Sequence, residues 1–116
     1  MATWLITVVE TPLFVRQARK IWSDTECQEF VLYIAGHPEA GDVIAGTGGV
    51  RKVRWSRAGA GKRGGVRVVY FYRDAAQPLY LLLAYAKSRK ENLTPDEKRT
   101  VREISAAIKG ERRSKA

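Results

Sequence analysis

The first part of the chain passes from an extended apolar run to a helical pattern. Residues 4–9 (WLITVV) are apolar and mostly β-branched, and the run is long enough for one strand but too short for a helix. Thr11 followed by Pro12 is typical of an N-cap with proline at the first helical position. A strand followed by a short helix is therefore predicted.

A second helix is predicted immediately afterwards. Ser23 and Glu26 have the spacing of a capping box, in which the two side chains satisfy amides of the first turn reciprocally. The apolar stripe of this helix follows at helical spacing: Cys27, Phe30, Val31 and Ile34. Residues 36–38 (Gly-His-Pro) end it, because proline cannot continue a helix. The two helices are expected to form a hairpin.

Three runs in the second half have strand character. They cover residues 50–55, 66–72 and 79–87, and turn-rich or glycine-rich segments separate them. Consecutive runs of this kind predict an antiparallel meander. In the first run Val53 and Trp55 share one face, and Lys52 and Arg54 share the other. One face would then contribute to the core and the other would bind anions.

The last element begins at Thr94 and Pro95, where an N-cap, an N1 proline and acidic residues favour a helix start. The predicted fold class is α+β: a small antiparallel sheet with two N-terminal helices and one C-terminal helix, packed against one face of the sheet. Residues 1–110 are expected to form a single domain. Residues 111–116 are expected to form a frayed basic tail, because they have no apolar anchor.

Charge is distributed unevenly along the sequence. The net charge is +9, yet residues 1–50 alone sum to −3. Residues 51–73 contain eight lysines and arginines and no acidic residue. A segment that repels itself in this way is most easily tolerated where a polyanion neutralises it. A phosphate backbone is the expected ligand.

Other compositional features narrow the possible classes of protein. One cysteine, Cys27, excludes an intramolecular disulfide, fits a reducing compartment and is expected in the core. No basic n-region precedes the first apolar run, and no run reaches the length of about 18 residues that a membrane span needs. A soluble cytoplasmic protein without membrane contact is expected. One cysteine and one histidine supply no cluster of metal ligands, so no metal or cofactor is predicted.

Three segments carry a resemblance to a known family: GDVIAGTGGVRKVR, GKRGGVRVVY and LLLAYAKSRKENLT. Together with the order of elements, they resemble toxins of the RelE superfamily, and within it the HigB-type members of type II toxin–antitoxin pairs. The resemblance covers almost the whole chain. It implies an mRNA endonuclease that usually acts on messenger bound in the ribosomal A site. It also implies a cognate antitoxin protein that holds the enzyme inactive.

The chemistry of such an enzyme has three requirements. The 2′-hydroxyl must lose a proton, the charge on the phosphorane must be stabilised, and the 5′-oxygen must gain a proton. Histidines often carry the proton transfers, but the sole histidine, His37, stands in a helix-terminating segment and is expected to be structural. A histidine-based mechanism is therefore not expected.

The resemblance implies that cationic side chains on the second, third and fourth strands carry the reaction. Arg67 matches the family's transition-state arginine, whose guanidinium can bind two phosphate oxygens. Lys52 and Arg54 match its paired basic residues, and Lys52 is the better general base, because a lysine among like charges loses its proton more readily than an arginine. Lys87 is assigned to the leaving group or phosphate. Tyr85 is expected to stack on an unpaired base.

A further group of cations is expected to hold the RNA backbone without taking part in chemistry: Arg51, Arg57, Lys62, Arg63 and Arg73. Their contribution would be independent of base sequence and steeply dependent on salt. If the ribosome is the platform, they would meet ribosomal RNA.

Three alternatives remain open at this level. Lys52 and Arg54 could be the solvated face of a half-buried strand. The superfamily also includes ParE-like proteins, which share the fold and poison DNA gyrase, so the fold alone does not establish a nuclease. The third alternative is an RNA-binding domain without catalysis, in which the same basic surface binds phosphates only.

Overall fold

The computed structural model describes residues 5–56, 65–90 and 92–114, without the side chains of residues 111–114. Eight elements follow one another along the chain: β1 (Val8–Glu10), α1 (Pro12–Arg19), α2 (Asp24–Gly36), β2 (Asp42–Val43), β3 (Val50–Trp55), β4 (Val66–Phe71), β5 (Leu79–Ala86) and α3 (Pro95–Ser114). The predicted α+β class is confirmed.

Both N-terminal helices begin where the sequence predicts. The Thr11 hydroxyl accepts a hydrogen bond from the Phe14 amide, and Pro12 opens α1. At the start of α2 the capping box is complete: the Ser23 amide donates to the Glu26 carboxylate at 2.8 Å, and the Glu26 amide donates to the Ser23 hydroxyl at 3.2 Å. Each helix start thus has local partners for amides that lack an intrahelical acceptor.

The five strands form one sheet in the order β1-β5-β4-β3-β2. The predicted meander of β3, β4 and β5 is confirmed, since each pairs antiparallel with the next. The expectation of an entirely antiparallel sheet is wrong, because β1 pairs parallel with β5. Helices α1 and α2 separate β1 from the meander in sequence, and β1 occupies the edge beside the last strand. β1 also begins at Val8, later than the predicted start.

The helices pack on opposite faces of the sheet, which corrects the expectation that all of them share one face. Phe14 of α1 and Phe30 of α2 join one core with Val68 and other residues of the meander. Val101 of α3 packs with Val69 on the other side. The reason lies in β4, whose sequence VRVVYF supplies apolar side chains to both faces, and all six of its residues are buried.

A β-bulge in β5 sets which side chains share a face with α3. Tyr70 pairs with Leu81 while Val69 pairs with Leu83, so Leu82 has no opposite residue in β4. The extra residue reverses the alternation along β5. Leu81 packs on the α1 and α2 side, whereas Tyr85 packs on the α3 side.

The segment between α2 and β3 is held by Tyr70, a fully buried residue of β4. Its hydroxyl donates to the Pro38 carbonyl and accepts from the Gly41 amide, both at 2.8 Å. Gly41 has no room for a side chain, because a Cβ there would lie 2.8 Å from the Lys52 carbonyl oxygen. Burial raises the pKa of the Tyr70 phenol, which keeps it protonated as the donor to Pro38.

Three aromatic residues, Tyr70, Trp22 and Trp55, contribute to the core on the α1 and α2 side. Tyr70 is fully buried there, and Trp22 and Trp55 pack against the edge of the same cluster. The ring centroids of Trp22 and Trp55 lie 5.7 and 5.5 Å from that of Phe30. Their stabilising contacts are therefore with protein.

Helix α3 is fixed at its far end to the loop before β3. The Ser105 hydroxyl donates to the Thr47 carbonyl, and the Lys109 ammonium donates to the Gly48 carbonyl, both at 2.9 Å. Gly48 has a φ of +79°, a conformation that glycine adopts without strain. No helix in the described part of the chain has the length and apolar character needed to cross a bilayer.

We expect Tyr70→Phe to lower the free energy of unfolding by about 1–3 kcal/mol, because the Gly41 amide would lose its acceptor in a buried position. Tyr80→Phe is the matched control, since the Tyr80 hydroxyl has no hydrogen-bond partner among the described residues. Urea denaturation of both variants tests this. Equal stability of the two variants would contradict the role given to Tyr70.

Candidate nucleic-acid site

Three of the predicted site residues form a row across the sheet. Arg54 of β3 pairs with Arg67 of β4, and Arg67 pairs with Tyr85 of β5. Side chains directly opposite one another in antiparallel strands lie on the same face, with Cβ atoms about 4.5–5.5 Å apart. We call Arg54, Arg67 and Tyr85 the cross-strand row.

Arg67 lies at the centre of the row and is only 6% exposed. A Cβ placed on Gly65 would lie 3.7 Å from its Nη1 atom, so the guanidinium reaches toward the start of β4. Like charges directly opposite in a sheet are destabilising, and Arg54 opposes Arg67. A bound anion would relieve this repulsion, and local conflicts of this kind are expected at functional sites.

Lys52 lies two residues before Arg54 on β3, opposite Val69, and is half-buried. Its ammonium donates a hydrogen bond of 3.0 Å to the side-chain oxygen of Asn92, in the segment between β5 and α3. Residues two apart on a strand share a face and lie about 7 Å apart. Lys52 therefore adds an amine-type cation to the same face as the cross-strand row.

Lys87 directly follows β5 and is half-buried. Its amide donates to the Gly65 carbonyl at 3.2 Å, which continues the pairing of β4 and β5 by one step beyond the strand ends. Lys87 is two residues after Tyr85, so strand alternation places it on the face of the cross-strand row. Four predicted cations thus share one end of one sheet face: Lys52, Arg54, Arg67 and Lys87.

Tyr85 differs from its expected role as an open stacking surface. Tyr85 is only 8% exposed, and the Lys90 ammonium lies 4.8 Å from the centroid of its ring. A cation over an aromatic face is attracted by the ring quadrupole. Little of the ring remains for a base to stack on, and the tyrosine instead lies between Arg67 and Lys90.

Lys90 is in turn held by the start of α3. It forms an ion pair with Glu97. The same carboxylate accepts from the Thr94 amide at 2.9 Å, and the Glu97 amide donates to the Thr94 hydroxyl at 3.1 Å, completing a capping box. Burial acts to raise the pKa of Glu97, but the hydrogen bonds from Lys90 and Thr94 outweigh it and hold that pKa below its ordinary value.

The structure separates two of the predicted RNA-binding cations from this site. Arg51 alternates onto the opposite face of β3 and donates to the Gly41 carbonyl at 2.7 Å, so it braces the segment before β3. Arg73 is exposed beyond the other end of β4, roughly 20 Å along the strand direction from Arg67. Arg57, Lys62 and Arg63 lie outside the described residues.

His37 and Cys27 have local contacts that account for their presence in the fold. His37 is the C-cap of α2; its ring stacks on Tyr33, and its Nδ1 lies 3.0 Å from the Tyr33 carbonyl oxygen. Cys27 is half-buried at the edge of the α1 and α2 core, where burial, together with the nearby Glu10 carboxylate, raises its pKa to about 11. A thiol with that pKa is a poor nucleophile near neutral pH.

Three residues that contact the site were not predicted to do so: Lys90, Asn92 and Glu97. The spacing of Thr94 and Glu97 does indicate a capping box. The sequence contains no signal that the capping carboxylate also binds Lys90, because that contact depends on how the segment after β5 folds back. Asn92 is likewise 40 residues from Lys52 in sequence.

We expect Glu97→Ala to lower the free energy of unfolding by about 0.5–2 kcal/mol, the usual value of a lost helix cap. Glu97→Gln keeps a group able to accept from Thr94 but removes one charge of a half-buried ion pair, and ion pairs at the protein surface contribute about 0–1 kcal/mol. Because the pKa of Glu97 is lowered in the folded state, the advantage of wild type over Glu97→Gln is present above about pH 4.5. It is lost as the pH falls through the lowered value.

Denaturant unfolding at a series of pH values measures this difference. Asp96→Asn is the matched control, because Asp96 pairs with Arg99 on the exposed surface of the same helical turn. Its effect on stability is expected to be small. Identical pH dependence of wild type and Glu97→Gln would contradict the coupling of Glu97 to Lys90.

Comparison with known proteins agrees with this architecture. A family model described as the RelE toxin of the RelE / RelB toxin–antitoxin system matches residues 7–115. Among solved structures, the chain is similar to a double arginine-to-alanine mutant of the E. coli toxin RelE in the free state. The two chains are 16% identical, the match covers 75% of this chain and 88% of the other, and the TM-score is 0.54. The chain therefore belongs to the RelE family of toxins from toxin–antitoxin systems.

Proposed function

We propose that this toxin is an endoribonuclease that cleaves mRNA by attack of the 2′-hydroxyl on the adjacent phosphodiester. The observation that carries the proposal is the pairing of Arg54 with Arg67 beside Lys52 on one sheet face. Cations gathered at one point, with one of them buried, suit a ligand that concentrates negative charge. A phosphorane carries more negative charge than a phosphodiester, so such a site would stabilise the transition state more than the substrate.

The proposed roles follow from side-chain chemistry. Lys52 accepts the proton of the 2′-hydroxyl in its neutral amine form and becomes an ammonium, a role that a guanidinium cannot take because it stays protonated in proteins. Arg67 and Arg54 bind the non-bridging phosphate oxygens. The 2′-oxygen forms a bond to phosphorus as the bond to the 5′-oxygen breaks, and Lys87 protonates that oxygen. The products are a 2′,3′-cyclic phosphate and a 5′-hydroxyl, and no metal ion takes part.

The finer assignments rest on the family and on the sequence. RelE-type toxins usually cleave messenger in the ribosomal A site, and we extend this ribosome dependence to the present chain. The segments VRKVRW and GKRGGVRVVY support the HigB-type subgroup. A cognate antitoxin with acidic and apolar segments would inhibit by competition, because it could cover the same cationic surface.

We expect Arg67→Ala to lower the rate of cleavage at least about a hundredfold, the usual cost of removing a group that stabilises transition-state charge. Primer extension on an mRNA in a reconstituted translation reaction, with and without ribosomes, measures this. Wild type is expected to cut only in the presence of ribosomes. Arg67→Lys distinguishes loss of charge from loss of the bidentate guanidinium, and should recover only part of the rate.

Because Arg67 is buried, its substitution could also lower the stability of the fold. A thermal unfolding curve of each variant is therefore measured together with its cleavage rate. Arg102→Ala is the matched control, because it removes the same charge from an exposed position on α3. If wild type leaves the message intact in both conditions, the nuclease proposal fails, and a gyrase supercoiling assay then tests the ParE-like activity. If Arg67→Ala weakens RNA binding modestly and wild type shows no turnover, the protein is an RNA-binding domain.

A further inference from the structure

A cleft of about 490 Å³ lies along the outer edge of β5, next to the cross-strand row. β1 pairs with β5 only from Leu79 to Leu81. Beyond that point α1 approaches the strand, and the side-chain oxygen of Gln17 accepts from the Ala84 amide at 2.9 Å. The cleft lies between the second half of α1 and the turn after β5. Its volume is in the range of about 300–1,000 Å³ typical of small-molecule sites.

The lining of this cleft is cationic. Lys20, the C-cap of α1, contributes to it together with Arg89 and Lys90 after β5, and no carboxylate among the described residues does. Lys90 is paired with Glu97, but Lys20 and Arg89 are exposed, and their side chains have no ion pair or hydrogen bond among the described residues. Two cations thus remain available to an anion that enters the cleft.

A second cleft shows that this charge pattern is local. It has a volume of about 570 Å³ and runs along α2, where Glu10, Asp24 and Glu29 line it together with uncharged residues. A polyanion would be repelled there and attracted beside β5. Volume therefore does not distinguish the two clefts, but electrostatics does.

The cationic cleft adjoins the candidate site at Tyr85. This residue lines the cleft and also pairs directly with Arg67. Neighbouring strands are about 4.8 Å apart, so a chain whose phosphate lies at Arg67 needs to advance little more than one strand to reach the cleft. Its path would pass Tyr85 and Lys90 and end between Arg89 and Lys20.

We infer that this cleft binds the single-stranded RNA on one side of the scissile phosphate, with Lys20 and Arg89 contacting its backbone phosphates. The inference rests on the proposed nuclease function and adds a binding subsite to it. An acidic peptide would also be attracted by these cations. The position of the cleft next to Arg67 favours RNA. A nucleic-acid backbone carries a phosphate at every nucleotide and can therefore bind at Arg67 and in the cleft at once.

The test compares wild type with the double variant Lys20→Ala/Arg89→Ala. Fluorescence anisotropy with single-stranded RNA oligomers is expected to show roughly tenfold weaker binding at low salt. The slope of log K against log salt should be smaller by about 1.4, because each phosphate contact with a single strand contributes about 0.7. The double variant Arg16→Ala/Arg102→Ala removes two exposed cations outside the cleft and controls for net charge.

Oligomers shortened separately from each end locate the subsite. Wild type should lose affinity when nucleotides are removed from the end that enters the cleft. The Lys20→Ala/Arg89→Ala variant should lose little affinity on the same shortening, because the substitutions and the shortening remove the same contacts. In the translation reaction this variant should raise KM with kcat nearly unchanged.

The outcomes separate the two proposals. If wild type cleaves mRNA and the cleft variant matches the charge control in affinity, salt slope and KM, the cleft is not an RNA subsite and the inference is overturned. A cleft variant that affects only the binding of an acidic peptide overturns it as well. Absence of cleavage by wild type refutes the nuclease function instead, while the anisotropy measurements still report on the cleft.

Discussion

Strand β4 is buried on both faces, and it carries one arginine among five apolar residues. Each buried apolar side chain contributes about 1.5–3 kcal/mol, so together they outweigh a desolvation cost of several kcal/mol for one guanidinium. The strand that best stabilises the sheet can therefore hold Arg67 in a rigid position, opposite a second arginine. A site on such an element is more precise than one on a loop.

The neighbours of Arg67 depend on two features far apart in the sequence. The extra residue Leu82 turns Tyr85 onto the face of Arg67. The carboxylate of Glu97 then fixes Lys90, whose ammonium lies over the ring of Tyr85. Glu97 therefore belongs to the capping box that starts α3 and also forms an ion pair with a cation beside the site. The start of this helix is therefore linked to Tyr85 by direct contacts through Lys90.

Local signals in the sequence were sufficient for most elements and for part of the site. Capping residues predicted the helix starts, and strand alternation placed Lys52 and Arg54 together. The sheet order and the opposite placement of α3 depend on pairing between distant residues, which no local pattern reveals. The bulge at Leu82 shows the limit most clearly: in LYLLLAYA, apolar residues stand at nearly every position, so alternation does not reveal which one is extra. Arg51 is a related case, because it donates to the Gly41 carbonyl on the opposite face of β3, and its charge in the sequence carries no information about that face.

The uneven charge along the sequence corresponds to differently charged surfaces in the fold. The first 50 residues, which sum to −3, contain α1 and α2, and an acidic cleft lies along α2. Cationic residues of the later part of the chain, including Lys52, Arg54 and Arg67, gather on the other face of β3 and β4 and around the end of β5. Lys20 is the exception, because it comes from the acidic part of the sequence but lies in the cationic cleft. Lys20 and Arg89 line the same cleft although they come from parts of the sequence with opposite net charge, and two cations at one cleft are what the proposed RNA subsite requires.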